Sequence, residues 1–85
     1  MNKVIEVKCQ QPYFEEVWLK RKNFEVRYND RDYQVGDIVI LKEWDEYNKY
    51  STRVVHVLIT YILSNYDALA PNHVVFAFTE VNRIY

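Results

Sequence analysis

The sequence predicts a mainly β domain (α+β), a small and partly open barrel of about five strands with one helix near the N-terminus. Several segments rich in β-branched and aromatic residues are separated by short polar turns. No helical pattern lies between the later strands, which argues against a doubly wound parallel sheet. Closing a sheet on itself removes exposed strand edges, and 85 residues suffice for one such domain, residues 1–85.

The first third of the chain predicts a strand followed by a helix. Residues 3–9 are β-branched and partly alternating, which is typical of a short strand. We expect the helix over residues 12–21, with Pro12 at its first position, where the missing N–H costs nothing. Its buried stripe would consist of Phe14, Val17, Trp18 and the stem of Arg21.

The remaining elements are predicted to be strands joined by turns. Gly36, the only glycine, follows a polar turn and suggests a positive φ or close packing of the backbone. The pattern predicts strands at 23–28, 38–41, 53–62 and 73–81, a polar hairpin loop at 45–52 and a loop at 64–72.

Composition excludes several classes of function. The net charge is −1, so attraction to nucleic acid or anionic lipid would need a local basic patch. The single cysteine, Cys9, excludes an internal disulfide and suits a reducing compartment, and no apolar run is long enough for a membrane span. We therefore expect a cytoplasmic protein.

His56 and His73 lack metal-ligand spacing, and no phosphate-binding glycine loop exists, so we expect neither metal nor cofactor.

The strongest local signal is a basic stretch at residues 20–32 that runs from the helix into the second strand. Three apolar residues alternate there with Asn23, Glu25 and Arg27, as in a half-buried strand. The apolar side is predicted to face the core, and the polar side would be the working surface. The structural alternative, without a binding role, is that the basic residues at 20–22 only complement the dipole at the helix C-terminus.

Lys22, Glu25 and Arg27 resemble the Gly-x-Lys-x-x-Glu-x-Arg pattern of the ASCH superfamily, with Lys20 in place of the glycine. The segment 24–37, supported by residues 12–15, 41–45 and 60–63, is similar to a small bacterial and phage family of unknown function in that superfamily. The resemblance implies a PUA-like pseudobarrel and an RNA-binding role, with RNA or a nucleotide in a cleft beside the helix.

The first functional hypothesis is therefore a binding module for RNA or a nucleotide. Cations would contact phosphates, a ring would stack on a base, and a carboxylate would position the cations or accept from a base amino group. The candidate residues are Lys22, Glu25, Arg27, Asn29, Arg31 and Trp44. Structural alternatives stay open, because Glu25 and Arg27 would also suit an ordinary ion pair and Trp44 would suit packing at the barrel rim.

Two other hypotheses remain. Some ASCH members are amidohydrolases that remove an acetyl group from acetylcytidine, so Lys22 and Glu25 would form a proton-transfer pair in an enzyme. Those enzymes have threonine where this chain has Glu25, and their downstream carboxylate has no clear match here. A protein-interaction adapter of phage type would instead use the tyrosine-rich segment 47–50 for a protein partner.

Overall fold

The computed structural model describes residues 2–85 and contains five strands and one short helix. The elements are β1 (Val4–Gln10), α1 (Tyr13–Trp18), β2 (Phe24–Tyr28), β3 (Ile38–Asp45), β4 (Lys49–Leu63) and β5 (His73–Ile84). The mainly β fold class and the number of strands are thus confirmed. No helix within residues 2–85 has the length and apolar character needed to cross a bilayer.

The strands form one curled sheet in the order β1-β3-β4-β5-β2. β1 pairs with β3 in parallel, and every other pair is antiparallel. The sheet curls so far that its two edge strands approach each other, since Arg27 on β2 donates to the Lys8 carbonyl on β1 over 2.9 Å. The result is a half-barrel with a seam, by which we mean the gap between the free edges of β1 and β2.

The core fills the inside of this half-barrel. Alternate side chains of each long strand point inward, which is the ordinary consequence of the pleat. On β1 these are Ile5, Val7 and Cys9, and α1 adds Phe14 and Val17. The strands β3, β4 and β5 contribute Val39, Leu41, Val55, Val57, Ile59, Val74, Phe76 and Phe78.

The helix is shorter than the sequence predicts, and Pro12 precedes it as the N-cap. Lys20 has φ of +62°, and the N–H groups of Lys20 and Arg21 donate to the carbonyls of Val17 and Glu16. This is the Schellman pattern, which ends a helix at a left-handed residue. The basic residues at 20–22 lie beyond the helix, so their predicted role at its C-terminus is wrong. Arg21 pairs with Glu16 at the surface and does not join the buried stripe.

β2 turns its faces opposite to the prediction. Glu25 is buried, at 4% exposure, whereas Phe24, Val26 and Tyr28 are 43%, 53% and 55% exposed. Alternation predicts two faces but not which of them is inside. The inward side chains of β2 meet the seam, where Arg27 donates to the carbonyl of Lys8 and Glu25 accepts from Arg27.

The hairpin between β3 and β4 is tighter than the predicted polar loop at 45–52. Its strands continue to Asp45 and from Lys49, so only residues 46–48 form the turn. The Asp45 carboxylate accepts the N–H groups of Tyr47 and Asn48, which closes the turn locally. β5 likewise runs three residues beyond the predicted end, to Ile84.

Gly36 and Asp37 fix the entry to β3. Gly36 has φ of +96°, and a Cβ there would lie 2.6 Å from the Asn2 side chain, so both expectations for the glycine are confirmed. Asp37 is fully buried and accepts hydrogen bonds from both nitrogens of Lys3 and from the N–H of Gln34. Burial acts to raise the pKa of Asp37, but the hydrogen bonds from Lys3 and Gln34 outweigh it and hold that pKa below its usual value.

A second polar cluster fastens α1 to the barrel. Arg53 pairs with Glu43 through two nitrogens at 2.8 Å and with Glu15 on the helix at 2.9 Å. Its guanidinium carbon lies 4.6 Å from the centroid of the Trp18 ring, a cation–π contact. Gln11 also donates to Glu43. The helix is therefore held by charge pairing and by packing at once.

Replacing Lys20 by glycine should stabilise the protein. A residue with a Cβ is strained at φ of +62°, and glycine is not. We expect Lys20→Gly to raise the free energy of unfolding by roughly 0.5–1 kcal/mol, measured by urea denaturation. The control Lys20→Ala removes the same charge but keeps the Cβ. Equal stability of the two variants would contradict backbone strain at position 20.

Glu43 should make the free energy of unfolding depend on pH at acidic pH. Hydrogen bonds from Arg53, Ser51 and Gln11 lower the pKa of Glu43 to about 2, although burial acts to raise it. A lowered folded-state pKa stabilises the protein above about pH 4.5, and this contribution is lost as the pH falls toward 2.

We therefore expect Glu43→Gln to lower the free energy of unfolding by roughly 2–3 kcal/mol at pH 7. The difference from the unmodified protein should shrink when urea denaturation is repeated at pH 2.5. A difference that stays constant between the two pH values would show that charge at Glu43 does not carry the effect.

Candidate functional site: the seam between the edge strands

The seam is bridged by arginine side chains instead of a backbone ladder. β1 pairs only with β3, so alternate main-chain groups on its other side have no strand partner. Arg27 donates to the carbonyl of Lys8 at 2.9 Å, and Arg31 donates to the carbonyl of Glu6 at 3.3 Å. These bonds satisfy carbonyls that a sixth strand would otherwise occupy.

Glu25 binds two of the predicted cations, Lys22 and Arg27, and we call these three residues the Glu25 unit. Its Oε1 accepts from Nε and Nη2 of Arg27 at 3.0 and 2.8 Å, and its Oε2 accepts from Nζ of Lys22. Lys22 also donates to the carbonyl of Phe24 at 2.7 Å. The spacing along the chain explains the convergence, because Glu25 and Arg27 share the inner face of β2 and Lys22 reaches back from the preceding turn.

The three charged side chains lie beside an open groove of about 670 Å³ at the helix end of the seam. We call this the helix-side groove. It is lined by Lys8, Cys9, Gln10, Tyr13, Lys22, Phe24, Glu25, Val26 and Arg27. Charged groups therefore meet exposed aromatic rings, since Tyr13 is 57% and Phe24 is 43% exposed.

Arg27 also lines a second groove, of about 380 Å³, which we call the central groove. Its lining consists of Glu6, Val7, Lys8, Arg27, Tyr28, Asp30, Arg31, Tyr33, Lys42 and Tyr50. Four cations face two carboxylates there, so the groove is locally positive in a chain whose net charge is −1. Arg31 thus lies beside the Glu25 unit but in a separate depression.

The structure does not bring Asn29 and Trp44 to the Glu25 unit. The Asn29 side chain accepts the N–H of Tyr33 at 3.0 Å and so closes the turn after β2. Trp44 pairs with exposed Gln10 on the outer face of the sheet and lines none of the grooves at the seam. The Nζ of Lys8 lies 4.1 Å from the centroid of the Trp44 ring. Stacking at the Glu25 unit would have to come from other rings.

Sequence reasoning missed Tyr13 and Phe24 as groove residues. The alternation of Phe24 with polar neighbours predicts a core position, and the reversal of β2 exposes the ring instead. Lys8 and Lys42 were also missed, because they lie far from the basic stretch in sequence. Only the pairing of β1 with β3 places them side by side.

Cys9 lies under the groove, but its thiol is unsuited to nucleophilic chemistry. The side chain is 1% exposed. Burial, and then the nearby carboxylate of Glu25, raise the pKa of Cys9 to about 12. The thiol therefore stays protonated at neutral pH, and it behaves as a small apolar core residue. Within residues 2–85, no group of three His, Cys, Asp or Glu side chains is placed to hold a metal ion.

Comparison with known proteins gives one phage relative and one protein family. It is similar to the "Uncharacterized 12.9 kDa protein in GpA 3'region" of Escherichia phage P2, with 40% identity over 60 residues. These residues are 71% of this chain and 54% of the phage protein, so the chain spans about half the length of this curated relative. The family described as "Domain of unknown function (DUF3850)" matches residues 4–78, and the chain therefore belongs to that family.

Proposed function

We propose that the protein is an RNA- or nucleotide-binding module of the ASCH/PUA-like type, and that its ligand lies along the seam. The observation that carries the proposal is the Glu25 unit. One buried carboxylate holds Lys22 and Arg27 side by side at the edge of a groove that also contains exposed rings. The Lys-x-x-Glu-x-Arg spacing that resembles the ASCH pattern is the spacing that builds this unit.

Phosphate binding would use the cations. Lys22 and Arg27 keep donors in excess of the two oxygens of Glu25, because ammonium and guanidinium groups carry three and five N–H donors. Glu25 is too buried to reach a ligand freely, so its role is to fix the direction of the two cations. Arg31 would contact a neighbouring phosphate in the central groove.

Base stacking would use Tyr13 and Phe24. Both rings are exposed at the helix-side groove, which places them within reach of a nucleotide whose phosphate lies on Lys22. Stacking of one base on an aromatic ring contributes about 1–3 kcal/mol and tolerates any base. A cation next to an aromatic ring is the combination with which proteins bind single-stranded RNA.

The salt dependence of binding tests the phosphate contacts. For a single strand, the logarithm of affinity should fall with the logarithm of salt concentration with a slope of about −0.7 per phosphate contacted. Lys22→Ala and Arg31→Ala should each reduce the steepness by about 0.7, measured by fluorescence anisotropy with a labelled RNA octamer. Glu25 keeps Arg27 as its partner in the Lys22 variant, so the buried carboxylate is not left unpaired.

The matched control is Lys20→Ala, which removes a cation two residues away that lines neither groove. Its slope should equal that of the unmodified protein. Binding with the same slope in all four proteins would remove Lys22 and Arg31 from the ligand site.

The direct contact between Lys22 and Glu25 also favours a second candidate, an amidohydrolase acting on an acetylated cytidine-like nucleoside. Such a pair would activate water for attack on the amide. Purified protein should then release acetate from acetylcytidine, and Glu25→Gln should abolish the release, as followed by chromatography of the nucleoside. Absence of turnover by the unmodified protein would exclude this substrate.

A further inference from the structure

A third groove, of about 680 Å³, lies at the opposite end of the seam from α1. It is formed by the loop at 64–72 and by the end of β2, and we call it the loop-side groove. Tyr28 lines both this groove and the central groove, just as Arg27 lines both the central and the helix-side grooves. The central groove therefore adjoins both of the others, and we call the three grooves together the path.

The loop-side groove differs in charge from the other two. The cations of the path, among them Lys22, Arg27 and Arg31, lie in the helix-side and central grooves. The loop-side lining contains no lysine or arginine among the described residues, and it includes the carboxylate of Asp67. A phosphate would be repelled there, whereas a neutral group would not.

The groove instead presents amides and rings. Asn29 and His73 use their side chains in hydrogen bonds, but the amides of Asn65 and Asn72 have no such partner among the described residues. Both have positive φ, +53° and +62°. Tyr66, 57% exposed, and Tyr28, 55% exposed, offer aromatic surface next to these amides.

We propose that the loop-side groove reads an unpaired base of a single-stranded RNA whose phosphates lie in the other two grooves; this inference rests on the proposed function. A side-chain amide carries both donors and an acceptor, so it can match the hydrogen-bonding edge of one base and not of another. The rings of Tyr66 and Tyr28 provide stacking surface for the same base. The path thus separates phosphate contact from base selection.

Single-stranded RNA fits this separation better than a duplex. A base must leave its stack for its edge to reach the amides, and unpaired segments allow this at little cost. β1 has seven residues, so the seam is about 23 Å long at about 3.3 Å per residue. This length is consistent with a short site of about 4 nucleotides.

The experiment compares sequence preference and salt dependence in the same variants. Glycine adopts positive φ without strain, so Asn65→Gly and Asn72→Gly remove each amide and keep the loop conformation. Tyr66→Leu removes the ring. The control is Tyr47→Leu, at a tyrosine 88% exposed in the turn between β3 and β4 that lines none of the grooves. Affinity is measured for labelled hexamers of A, C, G and U.

The unmodified protein should prefer one hexamer. In the asparagine variants, the ratio of the weakest (largest) Kd to the tightest (smallest) Kd should fall at least about fivefold. Tyr66→Leu should weaken every hexamer by about fivefold or more, and Tyr47→Leu should change nothing. The salt slope should stay constant in all of them, because no phosphate contact is removed.

The outcomes separate the two proposals. If the unmodified protein binds no hexamer, RNA binding and the base-reading groove both fall. If it binds with the expected salt slope, but the asparagine variants keep the full ratio of Kd values, only the loop-side groove is overturned. Loss of affinity that is equal for all four hexamers in the asparagine variants would likewise overturn base reading.

Discussion

The buried carboxylate of Glu25 is the constraint on which the seam depends. A charge at 4% exposure costs several kcal/mol unless it is paired and hydrogen-bonded. Here Lys22 and Arg27 pair with it from two sides. Because Arg27 also donates to the Lys8 carbonyl, the same guanidinium links the carboxylate to the opposite edge strand. The half-barrel is therefore joined by side chains where no backbone ladder exists.

Charged groups inside a small barrel recur at two other places. Asp37 is buried with Lys3 at the entry to β3, and Glu43 is paired with Arg53 beneath α1. Lys3 and Asp37 lie just before β1 and β3, so their contact reinforces a pairing that the sheet already makes. Arg53 pairs with Glu43 on the neighbouring strand and with Glu15 on α1, so it links the helix to the sheet. A domain of 85 residues has a modest core, and such links specify which elements meet. The Glu25 unit differs from the other two in lying beside an open groove.

Some of the architecture could be predicted because it depends on local patterns. The five strands, the early helix and the special role of Gly36 follow from β-branched runs, helical spacing and a single glycine in a turn. Element ends were less predictable. The helix stops at Trp18 because Lys20 adopts a left-handed conformation that glycine would adopt more readily, and nothing in the local pattern requires it. β4 starts at Lys49 because pairing with β3 overrides its polar composition.

The sequence by itself determined that Lys22, Glu25 and Arg27 would meet, since their spacing puts them on one side of a turn and strand. Only the tertiary structure decided that this side faces inward and that Phe24 is exposed, because alternation does not say which face of a strand is covered. Pairing β1 with β3 placed Lys8 beside Lys42, whereas Trp44, on the same face and in contact with Lys8, lines none of the grooves. Contacts between segments far apart in the chain depend on how the sheet curls, and residue spacing carries no record of that curvature.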